Sequence, residues 1–281
     1  MIKFGPSGMC EMFVAEGNKT TMQMAKWLSE KGLNAYEYSF SKGVTVSDET
    51  AMAIGEQMRE YGITISAHAP YFINFANVSD DMAYKSIGYV VSSLKKLRIL
   101  GGNHLVVHPA SLGKLDRVEA IKLTKERLLW LKDVIIENGL DDMFVCLETM
   151  GKMAQIGTYQ EIIDFCTLFD HYIPTLDFGH INALTQGSLK TEEDYEKIIK
   201  YGIDKLGFDR MKNVHIHFSK IEYASKGEIK HLTFDDNVYG PEFLPLAKVI
   251  KKYKLEPVVI CESRGTQTRD AMAMKQMYNS I

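Results

Sequence analysis

Short runs of almost unbroken apolar residues alternate along this chain with longer amphipathic stretches. Eight runs read as strands, at residues 2–4, 35–39, 64–67, 104–107, 144–147, 173–176, 213–217 and 257–261. They are apolar nearly throughout rather than at alternate positions, as parallel strands covered on both faces must be. The stretches between them have helical periodicity and readable ends. Thr21 can open a helix that stops at Gly32, and Ser47 one that stops at Gly62. Asp116-x-x-Glu119 and Thr158-x-x-Glu161 have the spacing of capping boxes. Gly101, Gly102 and Gly139 stand where helices should terminate. Strand then helix, eight times over, predicts an α/β chain closed into a (β/α)8 TIM barrel, one domain over residues 1–281. The longest irregular stretch lies at about residues 219–241.

The ends of these runs carry the chemistry. Five of the eight histidines, His68, His108, His180, His215 and His231, fall at or beyond the end of a run, or in the loop that follows. Three carboxylates, Glu148, Asp177 and Glu262, end others. A TIM barrel gathers the C-terminal ends of its strands at one mouth, where active sites lie. Imidazoles and carboxylates without thiolates suit zinc, manganese or iron(II). Eight such groups exceed the four that one tetrahedral ion uses. They suit two or three ions with a bridging carboxylate, an arrangement that serves phosphoester hydrolysis. His104 and His171 read as structural. His217 shares a strand face with His215, so it is either a ligand or a partner that orients one.

Composition narrows the picture further. Among 281 residues, 46% are apolar and 25% charged, enough to build a large core. The net charge of −3 excludes a generally basic nucleic-acid coat. Four cysteines without CxxC spacing argue against a disulfide framework and suggest a reducing, cytoplasmic setting. No secretory leader and no membrane span is read. Tyr71, Phe72 and Phe75 follow His68, either to stack on a base or to plug the barrel mouth. Lys212, Lys220, Lys226 and Lys230 surround the seventh strand, either to contact phosphate or to form a solvated face.

Taken in order, His68-Ala-Pro-Tyr-Phe-Ile-Asn, Val-His108-Pro-Ala-Ser, Leu-Glu148-Thr, Leu-Asp177-Phe-Gly-His180, Val-His215-Ile-His-Phe-Ser-Lys220, His231 and Cys-Glu262-Ser resemble the endonuclease IV family. That family lies within the xylose-isomerase-like barrels. The resemblance runs from the first strand to the last. It implies a first zinc ion on His68, His108 and Glu148, and a second on Glu148, Asp177, His215 and Glu262. A third would lie on His180 and His231, with manganese or iron as possible substitutes. It further implies Glu148 and Glu262 as catalytic residues, Tyr71, Phe72 and Lys220 as DNA contacts, and damaged duplex DNA as the partner of a monomer. The implied reaction is hydrolysis of the phosphodiester 5′ of an abasic site.

Two positions depart from the family. Ile229 stands where it places an aspartate ligand of the third ion, and Glu228 or Asp235 can substitute. The loop at residues 40–44 is short and carries only Lys42 in place of an arginine-bearing DNA loop. Two other readings follow from the residues. A sugar isomerase or epimerase would need one ion on Glu148, Asp177, His215 and Glu262. A barrel without catalysis would bind metal or nucleic acid only.

Overall fold

The computed structural model describes residues 1–281. Eight parallel strands form the barrel: β1 Lys3–Pro6, β2 Ala35–Ser39, β3 Thr64–His68, β4 His104–Val107, β5 Phe144–Glu148, β6 Tyr172–Asp177, β7 His215–Phe218 and β8 Val258–Cys261. The sheet runs β1-β8-β7-β6-β5-β4-β3-β2. It closes between β1 and β2 through a single parallel bridge, Ser7 to Glu37. The backbones come close at this seam. A Cβ on Gly5 would sit 1.8 Å from the Ala35 carbonyl oxygen, so glycine is required there.

Every apolar run becomes a strand, and helices follow each one. Asp48–Glu60 starts on Ser47, whose hydroxyl accepts from Thr50 N. Tyr159–Cys166 starts on Thr158, with Glu161 closing a full capping box. Asp116 caps Arg117–Glu137 by accepting from Glu119 N, without the reciprocal bond. The main core is a shell of 62 buried residues. Within the barrel, the apolar filling shrinks to Val106, Cys146 and Ile173, with Phe144 against them. The same interior also carries the buried polar side chains of Glu37, Ser66, Thr175, His215 and His217. No helix is long and apolar enough to cross a membrane.

The stretch at residues 219–241 is not irregular throughout. It contains an antiparallel hairpin, Ile221–Ala224 with Gly227–His231. Its turn docks on the loop after β5: Glu228 N donates to Gly151 O at 2.9 Å, and Met153 N to Lys226 O at 3.2 Å. Gly227 has φ +96°, and a Cβ there would meet Gly151 O at 2.1 Å. This docking carries Glu228 and His231 to the barrel mouth.

Candidate metal centre

Strand ends converge at the mouth as barrel geometry requires. His68 ends β3, His108 follows β4 and Glu148 ends β5. The Nε2 atoms of His68 and His108 lie 3.2 and 2.9 Å from Glu148 Oε2. His68 Nδ1–H donates to the Ala69 carbonyl at 2.8 Å, which leaves Nε2 as the lone-pair nitrogen of the neutral ring.

Glu148, Asp177, His217 and Glu262 form a second group. His217 Nδ1 lies 3.1 Å from Glu148 Oε1 and 3.5 Å from Glu262 Oε1. Asp177 caps the next helix by accepting from His180 N at 2.7 Å with Oδ1. Its Oδ2 is buried without any hydrogen bond. Glu148 therefore offers one oxygen to each group.

The third group is His180, Glu228 and His231. His180 Nδ1–H donates to the Thr149 carbonyl at 2.9 Å, and His231 Nδ1 bonds the Ser219 hydroxyl at 2.8 Å. Their Nε2 atoms face Glu228 at 3.5 and 3.8 Å. Within each of the three groups the donor atoms lie within 4.8 Å of one another. An orphaned Asp177 oxygen, histidines pinned at one nitrogen and a carboxylate shared between groups fit a cluster of divalent ions.

The charges are strongly coupled. Burial raises the Glu148 carboxyl, but His108 and His217 outweigh it and hold it well below the usual range. Burial raises Asp177, and Glu262 and Glu148 add to the rise against His180. Burial alone would lower His180, yet Asp177, Glu148 and Glu228 drive it up to about 9. His217 is raised well above its ordinary value, because Glu37, Glu262 and Glu148 overcome burial. Without ions, the mouth is held together by protons that a bound metal would displace.

Two expectations are corrected. His215 does not join Asp177 and Glu262. It sits one layer deeper, paired in register with Thr175, while His217 is level with Asp177. Its Nε2–H donates to Glu37 Oε2 at 2.9 Å. Lys220 is not free to meet phosphate. It is only 5% exposed, and its ammonium is held by Glu242 Oε1 and the Asp236 carbonyl, both at 2.7 Å. Phe72 does not line the cavity; it is half exposed and packs edge-on against Tyr89, with ring centroids 4.6 Å apart. Tyr71 does face the site, 5.0 Å from the His68 ring and 5.5 Å from the His108 ring. Phe75 is fully buried, as a plug would be. Of the two candidate substitutes for the missing aspartate, Glu228 is at the site, whereas Asp235 pairs with Arg269 at 2.7 Å.

Glu37 escaped the sequence reading altogether. It stands in mid-strand, away from the strand ends where a barrel gathers its ligands. Its signal was the one available: a lone carboxylate inside a buried strand needs buried partners. The open cavity at the mouth measures about 340 Å³ and is reached by His68, Tyr71, His108, Lys152, Glu228 and Glu262.

The sequence model of the xylose isomerase-like TIM barrels matches residues 25–277. The chain belongs to that family. An uncharacterised protein of Methanocaldococcus jannaschii is 30% identical over 256 residues, 90% of each chain. A protein named probable endonuclease 4 from Staphylococcus carnosus is 27% identical over 185 residues, 64% of this chain and 60% of its own. Among solved structures, endonuclease IV of Thermus thermophilus superposes with TM-score 0.71 at 16% identity, covering 99% of this chain and 100% of that one. D-psicose 3-epimerase of Clostridium cellulolyticum reaches the same 0.71 at 15% identity, covering 100% and 99%. The backbone alone therefore does not choose between these chemistries; the site must.

Proposed function

We propose that this protein is a metal-dependent endonuclease that hydrolyses the phosphodiester 5′ of an abasic site in duplex DNA. The observation that carries the reading is the sharing of Glu148 between two donor groups, with a third group beside them. A single-ion enzyme has no use for so many ligands. The relatives named endonuclease 4 support it.

His68, His108 and Glu148 would hold one ion, Glu148, Asp177, His217 and Glu262 a second, and His180, Glu228 and His231 a third. Zinc suits this donor set, with manganese or iron(II) as substitutes. When bound, such ions polarise a phosphoryl oxygen and neutralise charge as it develops. Glu262 is the member of the second group that lines the cavity, so its carboxylate is placed to take a proton from an entering water. Lys152 supplies the positive side chain at the cavity wall, and Tyr71 an aromatic face on which a splayed-out nucleotide can rest. The four free, buried cysteines suit action in a reducing cytoplasm.

A second reading has its own observation. Glu148, Asp177, His217 and Glu262 are complete as a single-ion set, and a cavity of about 340 Å³ suits a small ligand. Both readings meet in one assay. Metal-stripped protein, reloaded separately with zinc, manganese or iron(II), is given duplex with one abasic site beside undamaged duplex. The endonuclease reading expects lesion-specific incision that Glu148→Gln abolishes. Two or more bound ions without incision would turn the search to other phosphoesters. One bound ion with sugar turnover would establish the isomerase reading.

A further inference from the structure

Beneath the metal centre, inside the barrel, lies a carboxylate that touches no solvent. Glu37, in the middle of β2, is fully buried and does not line the cavity. A charge in that position is costly unless it is partnered. Glu37 Oε2 accepts from the Ser66 hydroxyl and from His215 Nε2, each at 2.9 Å. Its Oε1 has no hydrogen bond. The nearest partner offered to it is His217 Nε2, at 3.0 Å, which is also without a hydrogen bond. The two atoms are at bonding distance but off the line of a strong bond. The opposite nitrogen of the same ring, Nδ1, faces Glu148 and Glu262.

We infer that Glu37 is a positioning residue for His217. Its carboxylate keeps the ring proton on Nε2 and so presents the Nδ1 lone pair to the ion shared by Glu148, Asp177 and Glu262. Ser66 and His215 hold the carboxylate in place. Outer carboxylates commonly fix ring orientation and tautomer of a metal-bound imidazole in this way, and their loss weakens metal binding about 10- to 100-fold. Burial pushes the Glu37 carboxyl up, but His217 and His215 outweigh it and hold it well below the usual range. His215, Glu37 and His217 are themselves close enough to hold an ion. Two of the donors are already bonded to each other, and all three are sealed from solvent, which favours the supporting role. This inference rests on the metal reading of the mouth but is indifferent to the substrate.

The test is zinc titration of metal-stripped wild type, Glu37→Gln and Ser66→Ala, with the histidine ring nitrogens followed by ¹⁵N NMR. Glu37→Gln should weaken the ion bound by His217 by about 10- to 100-fold. The ion on His180, Glu228 and His231 should keep its affinity. In wild type, zinc should convert the His217 signals to a ring that keeps its proton on Nε2 and binds through Nδ1; in Glu37→Gln that conversion should need more zinc. Ser66→Ala, which only loosens the carboxylate, should weaken the same ion a few-fold and keeps the test decisive if Glu37→Gln does not fold. Unchanged affinities, or equal loss at every ion, would overturn the inference. Wild type that binds no zinc would instead defeat the metal reading itself.

Discussion

The two ends of the barrel hold the same residue type in opposite states. At the C-terminal mouth His180 is driven up to about 9, although burial works against its charge. At the other end His104 is pushed down to about 3, by burial first, then by His215 and Lys3. His180 is buried and His104 half-buried. The difference is the company they keep. His180 faces Asp177, Glu148 and Glu228, all within 3.5 Å. His104 lies against the Phe144 ring at 5.1 Å and has the Asn103 side chain, not a carboxylate, at its Nδ1. Burial makes an imidazole neutral, and converging carboxylates make it a cation. Carboxylates converge on imidazoles at the end of the barrel where such folds do chemistry, while the opposite end serves stability.

The sharpest way to break this contrast is at its shared ligand. Glu148→Gln should remove two of the three ions and lower hydrolytic activity by about a thousandfold or more, as loss of several kcal/mol of transition-state stabilisation requires. Bound metal per chain and incision rate check it. Next is the pair on β7. His217→Asn should lose the second ion. His215→Asn should keep all ions and weaken that ion by about tenfold or less, since it acts through Glu37. Equal losses would mean that the layers are misplaced.

The contrast also predicts a pH response of the metal-free protein. The folded pKa of His180 lies above its ordinary value of 6.5, so its stabilisation is complete below about pH 6.5 and lost as pH rises through about 9. That amounts to about 3 kcal/mol at 1.36 kcal/mol per unit, and His180→Asn should remove it. His104 runs the other way. Its lowered pKa gives stability present above pH 6.5 and lost as pH falls toward about 3, so His104→Phe should flatten the acid limb. Thermal melts across pH, with and without zinc, read both; added zinc should abolish the alkaline loss, because the ion replaces the proton. The smallest effect expected is that of Lys220→Ala. It should cost about 1–3 kcal/mol through the lost partners Glu242 and Asp236, and leave the salt dependence of DNA binding unchanged.

The fold was largely legible because its signal is repeated. Each buried parallel strand is a short apolar run, and the eight runs match the eight strands to within two residues at either end. The site was legible in outline for a related reason: a carboxylate or imidazole ending a buried strand is rarely accidental. Depth was not legible. Residues two apart on a strand share a face but lie about 7 Å apart along it. On the seventh strand, which ends at Phe218, it is His217 and not His215 that lies level with Asp177 at the mouth. Glu37 was hidden by its mid-strand position. Glu228 depends on a hairpin whose docking is set by Gly151 and Gly227, contacts between segments far apart in sequence. Lys220 misled because a lysine beside a site looks available until the fold supplies Glu242.

The most direct test of the central claim is the anomalous signal of zinc in crystals of the reloaded protein, measured on both sides of the absorption edge. Ions are expected at the mouth only, one bounded by His68, His108 and Glu148, one by Glu148, Asp177, His217 and Glu262, and one by His180, Glu228 and His231. Zinc bound between Glu37 and His215, or a mouth that stays empty while the protein is folded and zinc is in excess, would contradict it.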